Sequence, residues 1–367
     1  MLIVFFLLIV GVNAFLAARG KTFPFVIFLT NVFIWFLITC SRDEIDLPSY
    51  LIGYDKSFLL NNVGLQYGFY GLMDAFRGLG FSFFEFREIL VGIGLLFIFL
   101  LTRKLAANPH LVYTSYSLYL IFLDYIQLRN FIACSVFYLA LVVLLLQRQH
   151  WRILFVIFIL VASSFHSSFI VYLMFLVIPS NEWNKSKIVK SIAIFAVIFS
   201  VFAVFSRNSI SFVSDVISFV DVERSARYAD KATNFGGLYF IVLQVATSVL
   251  MFIFVKGYEY DANGRFIMNE KGELIDVQKT LRLIFYIDLL AIALCPMVVF
   301  SITFYRLLRN LYLINVIGFS LYSKKNKPVW MFVFLLLYIA MWSGIEFCGG
   351  NFQRLVLPLF STNVYFN

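Results

Sequence analysis

Residues 161–170 read VASSFHSSFI. A histidine, His166, is flanked by four serines inside an apolar run from Ile153 to Ile178. The run is either one membrane pass with a polar cluster in it, or two shorter limbs that meet at His166. The choice decides which side of the membrane every later loop occupies, and whether scattered arginines converge.

The rest of the chain frames that choice. It has 367 residues, of which 62% are hydrophobic and only 13% charged, against about 25% charged in soluble domains. Apolar runs long enough to span a ~30 Å hydrocarbon core recur along the whole length. They fall near 1–18, 22–40, 86–102, 111–126, 130–146, 153–178, 188–205, 237–255, 283–300, 306–322 and 329–346. Phe (46) and Tyr (20) are abundant, which suits lipid-facing and interfacial positions. The expectation is an all-α polytopic membrane protein, one integral membrane domain over 1–367 with about 11–12 transmembrane or re-entrant helices. The opening MLIVFFLLIVGVNAFLAARGK has no Lys or Arg before Arg19. It lacks the positive leader end of a secretory signal and reads as a retained first helix. The net charge of +9 stands on no basic run of a soluble domain and gives no nucleic-acid signal. Cys40, Cys134, Cys295 and Cys348 have no metal-like spacing and read as packing residues; Cys40 and Cys348 could share the outer face.

The two topologies can be compared by charge. If 153–178 dips in and returns, with the N-terminus outside, the inner segments hold 17 of the 29 basic residues and only six acids. If it is a single pass, everything downstream inverts and the basic residues no longer favour the inner side. The positive-inside rule therefore selects the return. Its difficulty is length, because 12 or 13 helical residues reach only ~19 Å. The limbs must be short or re-entrant, and irregular backbone at such depth needs protein or water around it. On this topology both termini are outside, 41–80 and 206–236 are periplasmic, and 256–280 is a cytoplasmic loop. That loop contains Asn-Gly and Lys-Gly turn signals and reads as a solvated hairpin or loop.

The return reading also sorts Lys from Arg. Of 13 Lys, 11 are inside; of 16 Arg, 10 are outside. Arg presents a permanently charged fork that matches phosphate and carboxylate, so an arginine-rich outer face points to an anionic ligand. The competing reading is ordinary pairing with Asp and Glu at helix ends. The outer groups are Asp46, Tyr50 and Tyr54, then Arg129 and Asn130, His166, Arg306 and Arg309, Arg354 with Glu346 nearby, and Arg224 and Arg227. His166 is either a packing histidine satisfied by serines or an active-site group. Arg129 could pair with Asp124. Asp288 lies within a span and reads as an interhelical structural partner. His110 and His150 read as solvated in inner loops. Arginines at the interface suit a lipid-linked pyrophosphate leaving group, and a His or carboxylate suits deprotonation of an attacking hydroxyl. Nucleotide-binding Gly loops, Asp-x-Asp pairs, Gly-x-Ser-x-Gly and His-Glu-x-x-His are not evident.

Four stretches give the chain a resemblance. They are Arg42 with Asp46 and Tyr50; Arg129-Asn130-Phe131-Ile132-Ala133; Ala162-Ser163-Ser164-Phe165-His166-Ser167-Ser168; and Arg306 to Arg309. Together they resemble the EpsG-like family of polysaccharide polymerases, the group that includes many Wzy-type O-antigen and capsule polymerases. The likeness covers about 40–325 through short motifs. Gln66 stands where the family often has Glu, and Asn130 where Gln commonly follows the Arg. The resemblance implies a GT-C-like glycosyltransferase in the bacterial inner membrane, working at the periplasmic face. It would move a glycan from undecaprenyl pyrophosphate onto the next lipid-linked repeat unit, with no metal or soluble cofactor. Its partners would be that lipid-linked oligosaccharide, membrane lipid and a chain-length regulator, with no nucleic acid. His166 or Asp46 would orient or deprotonate the acceptor, Arg129, Arg306 and Arg309 would hold pyrophosphate, and Arg42, Asn130, Arg354 and Tyr50 would contact substrate. An O-antigen ligase and a lipid-linked oligosaccharide flippase are the alternatives. A flippase needs a polar path to both faces, and Asp288 is the one ionisable residue placed in the inner half of a span.

Overall fold

A computed structural model describes residues 1–42, 44–56, 66–178, 236–259, 266–268, 274–323, 329–348 and 351–364, with isolated positions between 191 and 198. The expected span 188–205 falls almost wholly outside the described residues. So do Lys185, Lys187, Lys190, Arg224 and Arg227, with nearly all of 206–236.

The fold is helical. Four described helices are long and apolar enough to cross a membrane: Leu2–Arg19, Leu128–Leu146, Gly237–Tyr258 and Val277–Val299. Shorter apolar helices lie at Pro24–Cys40, Trp151–Phe165, Ser167–Val177 and Met331–Gly344. In chain order, α1 is Leu2–Arg19, α2 Pro24–Cys40, α3 Leu47–Asp55, α4 Tyr67–Gly78 and α5 Phe83–Leu105. Helix α6 (Pro109–Ser115) runs through a π-helical turn, Tyr116–Leu120, into α7 (Ile121–Asp124). Then come α8 (Leu128–Leu146) and α9 (Trp151–Phe165). A 3₁₀ limb follows at Ser167–Val177, then α10 (Gly236–Glu259). The expected hairpin is present: β1 (Phe266–Met268) pairs antiparallel with β2 (Leu274–Asp276). Beyond it are α11 (Val277–Ala291), α12 (Cys295–Phe300), α13 (Tyr305–Arg309), α14 (Tyr312–Ser323), α15 (Val329–Phe347), α16 (Asn351–Leu355) and α17 (Leu357–Ser361).

The turns identify starts and stops physically. Helix α5 begins with a reciprocal capping box, Ser82 with Glu85, which satisfies orphan N–H groups at the helix start. Helix α2 ends at Cys40, and its orphan carbonyls are met from another helix. The Arg87 guanidinium donates to Ile38 O at 2.6 Å and Ser41 O at 2.9 Å, and pairs with Glu44 at 2.7 Å. A cation at a helix C-terminus also opposes the dipole there. The α8–α9 turn is tight, with Gln147 and His150 both at positive φ.

At His166 the chain breaks helix, with φ −146° and ψ 111°, and reverses. If the next segment continued outward, its rings would lie beyond the end of α8. Instead Phe169, Tyr172 and Phe175 pack around Phe137 in mid-α8, with the Tyr172 ring stacked at 4.2 Å. Helix α9, with 15 residues, reaches ~22 Å. The limb after His166 has 11 residues in 3₁₀ form and reaches a similar ~22 Å. The length difficulty is thus eased by the longer 3₁₀ rise. The irregular backbone is satisfied where it turns, because His166 N–H donates to Ala162 O and Phe169 N–H to His166 O.

The turns gather at two ends. At one, Asn108 Nδ2 donates to Ala17 O, its backbone N–H donates to Ser320 Oγ, and Tyr258 OH donates to Leu321 O. At the other are Asp46, Arg129, Arg309 and both termini of the described chain. Phe6 packs on Phe360, and Val364 N–H donates to Cys40 O while Arg42 N–H donates to Thr362 O. A bridge between Ser41 and Asn363 completes this strap.

His110 departs from expectation. It is fully buried, not solvated. Phe23 N–H donates to its Nε2 at 3.0 Å, and its Nδ1 faces Asn13 Oδ1 at 2.8 Å. Accepting at Nε2 and facing a carbonyl at Nδ1 fixes a neutral Nδ1–H tautomer. Asn13 continues to Thr30, so this histidine ties α1, α2 and α6 together. His150 is exposed, and the four cysteines are free, with Cys40 buried and Cys348 exposed.

Candidate functional site

Helix α3, with Asp46 at its start, and α4 build a cleft over the start of α8. It measures about 110 Å³ and is lined by Asp46, Ser49, Tyr50, Gly53, Tyr70, Met73 and Arg129.

Arg129 is its centre. Its Nη1 donates to Gln66 Oε1 at 2.6 Å and Tyr70 OH at 3.2 Å. Its guanidinium lies near the Tyr50 and Tyr70 rings, 5.9 and 6.0 Å from their centroids, a cation–π setting. Its backbone N–H donates to Tyr50 OH at 3.4 Å. These partners are all neutral. Among the described residues Arg129 makes no ion pair, and the Nε–Nη2 edge, the one that grips a carboxylate or phosphate in a bidentate manner, is not consumed by a carboxylate. Asp124, the alternative partner, is beside Arg309 and Tyr116 instead.

Asp46 faces Arg129 and Arg306. It stands at the N-cap of α3, yet its side chain makes no capping bond, unlike the usual Asp at that position. Its carboxylate is therefore unspent. Burial pushes its pKa above the ordinary value, with Arg306 and Arg129 opposing that rise. Arg306 is half-buried, and its Nε is enclosed without a hydrogen-bond partner among the described residues.

The other expected groups divide. Arg309 is 1% exposed and held by Gln127 Oε1 at 2.8 Å, Tyr305 OH at 3.3 Å and Glu346 at 3.5 Å. Tyr119 OH also donates to Glu346. Arg309 thus organises the Gln127 turn just before α8, and Glu346 belongs to it and not to Arg354. Arg354 is exposed on α16 and is not among the cleft residues. Asn130 is buried in a ladder: its Nδ2 donates to Asn310, whose Nδ2 donates to Tyr172 OH, which donates to Leu307 O. It fastens the returning limb. Arg42 donates to Thr39 O at 2.9 Å and lies 3.7 Å over the Phe84 ring. Tyr50 lines the cleft, with its phenol pushed up to about 12 by burial.

His166 sits at the turn, with Nδ1 2.8 Å from Ser168 Oγ. It is outside the cleft lining but joined to it through α4. A Cβ on Gly68 would collide with the Ser164 side chain, so α4 lies directly on the turn, and the same helix carries Tyr70. The residues that sequence reading missed are Glu44, Arg87, Tyr70, Gln127 and Tyr305. Gln66 was visible only as a departure from the family pattern.

The EpsG family model matches residues 24–357. No curated protein and no solved structure matches the chain.

Proposed function

We propose, from the premise that this chain belongs to the EpsG family of polysaccharide-polymerase-type membrane proteins, that it joins lipid-linked oligosaccharide repeat units at the outer face of the bacterial inner membrane. The observation that carries the reading is the cleft in which Arg129, ringed by neutral partners, faces the uncommitted carboxylate of Asp46.

The chemistry follows from those two groups. A sugar hydroxyl of the acceptor unit loses its proton to Asp46. Its oxygen attacks the anomeric carbon of the donor glycan. The bond from that carbon to undecaprenyl pyrophosphate breaks, and the pyrophosphate leaves with the electron pair. Arg129 and Arg306 stabilise the charge growing there, where fixed donors in a water-poor site act most strongly. The raised carboxyl of Asp46 makes it a stronger base than an ordinary aspartate. We assign the base to Asp46 because it lines the cleft, and give His166 the task of shaping the wall through α4. A GT-C-like arrangement, with the reacting loops at one end of a helical bundle, accompanies this reading.

Deletion of the gene tests it directly. The surface glycan should shrink to lipid carriers or cores bearing one repeat unit. Chains of full length in the deletion strain would overturn the polymerase reading, and loss of all glycan attachment with free polymer remaining would identify a ligase.

A further inference from the structure

A polar cluster in the middle of the bundle plays no part in that chemistry. Asp288 on α11 is 0% exposed and Asn315 on α14 is 2% exposed. Asn315 Nδ2 donates to Asp288 Oδ1 at 3.1 Å and to Tyr338 OH on α15 at 3.2 Å. Gln244 Nε2 on α10 donates to Asp288 O at 2.9 Å and Oδ1 at 3.4 Å. Two buried acceptors remain without partners among the described residues: Asp288 Oδ2 and Asn315 Oδ1. Buried acceptors are rarely left so. Here the two belong to side chains already joined by one hydrogen bond.

A single hydrogen atom satisfies both. A planar carboxyl and a planar amide already linked through one N–H···O bond can pair a second time through their other two oxygens. Two bare oxygens repel; with a proton on the acid, O–H···O closes an eight-membered ring. The charge argument agrees. The groups that face Asp288 are Gln244 from α10, Asn315 from α14 and, through Asn315, the Tyr338 hydroxyl from α15. Among the described residues no Lys, Arg or His pairs with it. An unpaired carboxylate buried in a membrane core is far costlier than a neutral acid.

We infer that Asp288 is a proton-binding site: it carries a proton at neutral pH and donates it to Asn315 Oδ1, so that a neutral acid–amide pair joins α10, α11, α14 and α15. The inference is independent of the polymerase reading. It also means that this intramembrane acid is a hydrogen-bond donor and not a fixed negative charge.

Infrared difference spectroscopy on the full-length protein in lipid tests it. Wild type minus Asp288→Asn should contain the carbonyl stretch of a protonated carboxylic acid at pH 7. A carboxylate doublet in that difference would overturn the inference. If Asp288→Asn does not fold, Asn315→Leu serves on its own. It removes the acceptor while leaving the acid, so one protonated-acid band should move to higher frequency. No moved band would also overturn it. The isosteric Asp288→Asn should keep the wild-type melting midpoint, because an amide still donates to Asn315 Oδ1. Asp288→Leu should lower it.

Discussion

Replacing Arg129 by lysine separates charge from geometry in the cleft. Lysine keeps the positive charge, but it cannot present parallel N–H groups. Two of its three donors replace the bonds to Gln66 and Tyr70, now 2.6 and 3.2 Å. What is lost is the second donor to the leaving pyrophosphate. A hydrogen bond to a charged group contributes about 1.5–3 kcal/mol, so kcat/KM should fall roughly 10- to 150-fold, at a factor of ten per ~1.4 kcal/mol. Arg129→Ala removes the charge as well and should lose about 10²–10³-fold or more, as deletion of an oxyanion donor does. It also strands the buried Gln66 amide, so alanine should lower the melting midpoint whereas lysine should not. The assay is polymer formation by purified protein from synthetic undecaprenyl-linked repeat units, with thermal unfolding followed in the same detergent. Wild-type rates in Arg129→Lys would refute the bidentate argument. Equal losses in both variants with equal loss of folding would make Arg129 a structural residue.

Three further outcomes are expected. Asp46→Asn should abolish turnover while leaving carrier binding intact. In wild type the rate should fall as the pH drops through the Asp46 pKa, which burial holds above the ordinary carboxylate value; an acidic limb that persists in Asp46→Asn would assign the base elsewhere. Arg87→Met leaves buried Glu44 without its partner, a loss of about 3–5 kcal/mol for a broken buried pair, while Arg87→Met with Glu44→Met should recover much of it; identical melting midpoints in single and double mutants would show that the pair is not coupled. In a Cys348→Ser background, a cysteine at exposed Lys56 should react with a membrane-impermeant reagent added from outside and one at exposed His150 should not; the reverse pattern would invert the proposed orientation.

The helical fold and the reversal at His166 were legible because they follow from bulk properties. Apolar runs mark the spans, and the Lys and Arg tally chose the reversal at His166 that the ring packing around Phe137 displays. The 3₁₀ form of the returning limb was not legible, because no residue pattern separates it from an α-helix. The site was partly legible. Asp46, Tyr50 and Arg129 were named and share one cleft. Arg309 has the same local signature as Arg306, but a carboxylate from α15 occupies it, and only the tertiary fold reveals that. Arg87 escaped notice for a similar reason: its acceptors are backbone carbonyls 46 and 49 residues away, which carry no side-chain signal. His110 was misplaced because a histidine beside a turn reads as solvated until its partners on α1 and α2 are known.

The strap at Ser41 and Asn363 has a consequence in time. Ser41 and Thr362, whose hydroxyls meet across it, are 321 residues apart. At ~5–20 residues per second the ribosome needs roughly 15–65 s to make the second after the first. The loop that carries Asp46 is therefore inserted and waiting long before the segment that latches it exists. Until then the nascent protein can hold its bundle without its finished cleft. A tag or truncation near Asn363 would then act as an active-site lesion, although it lies far along the chain from every residue that touches the cleft.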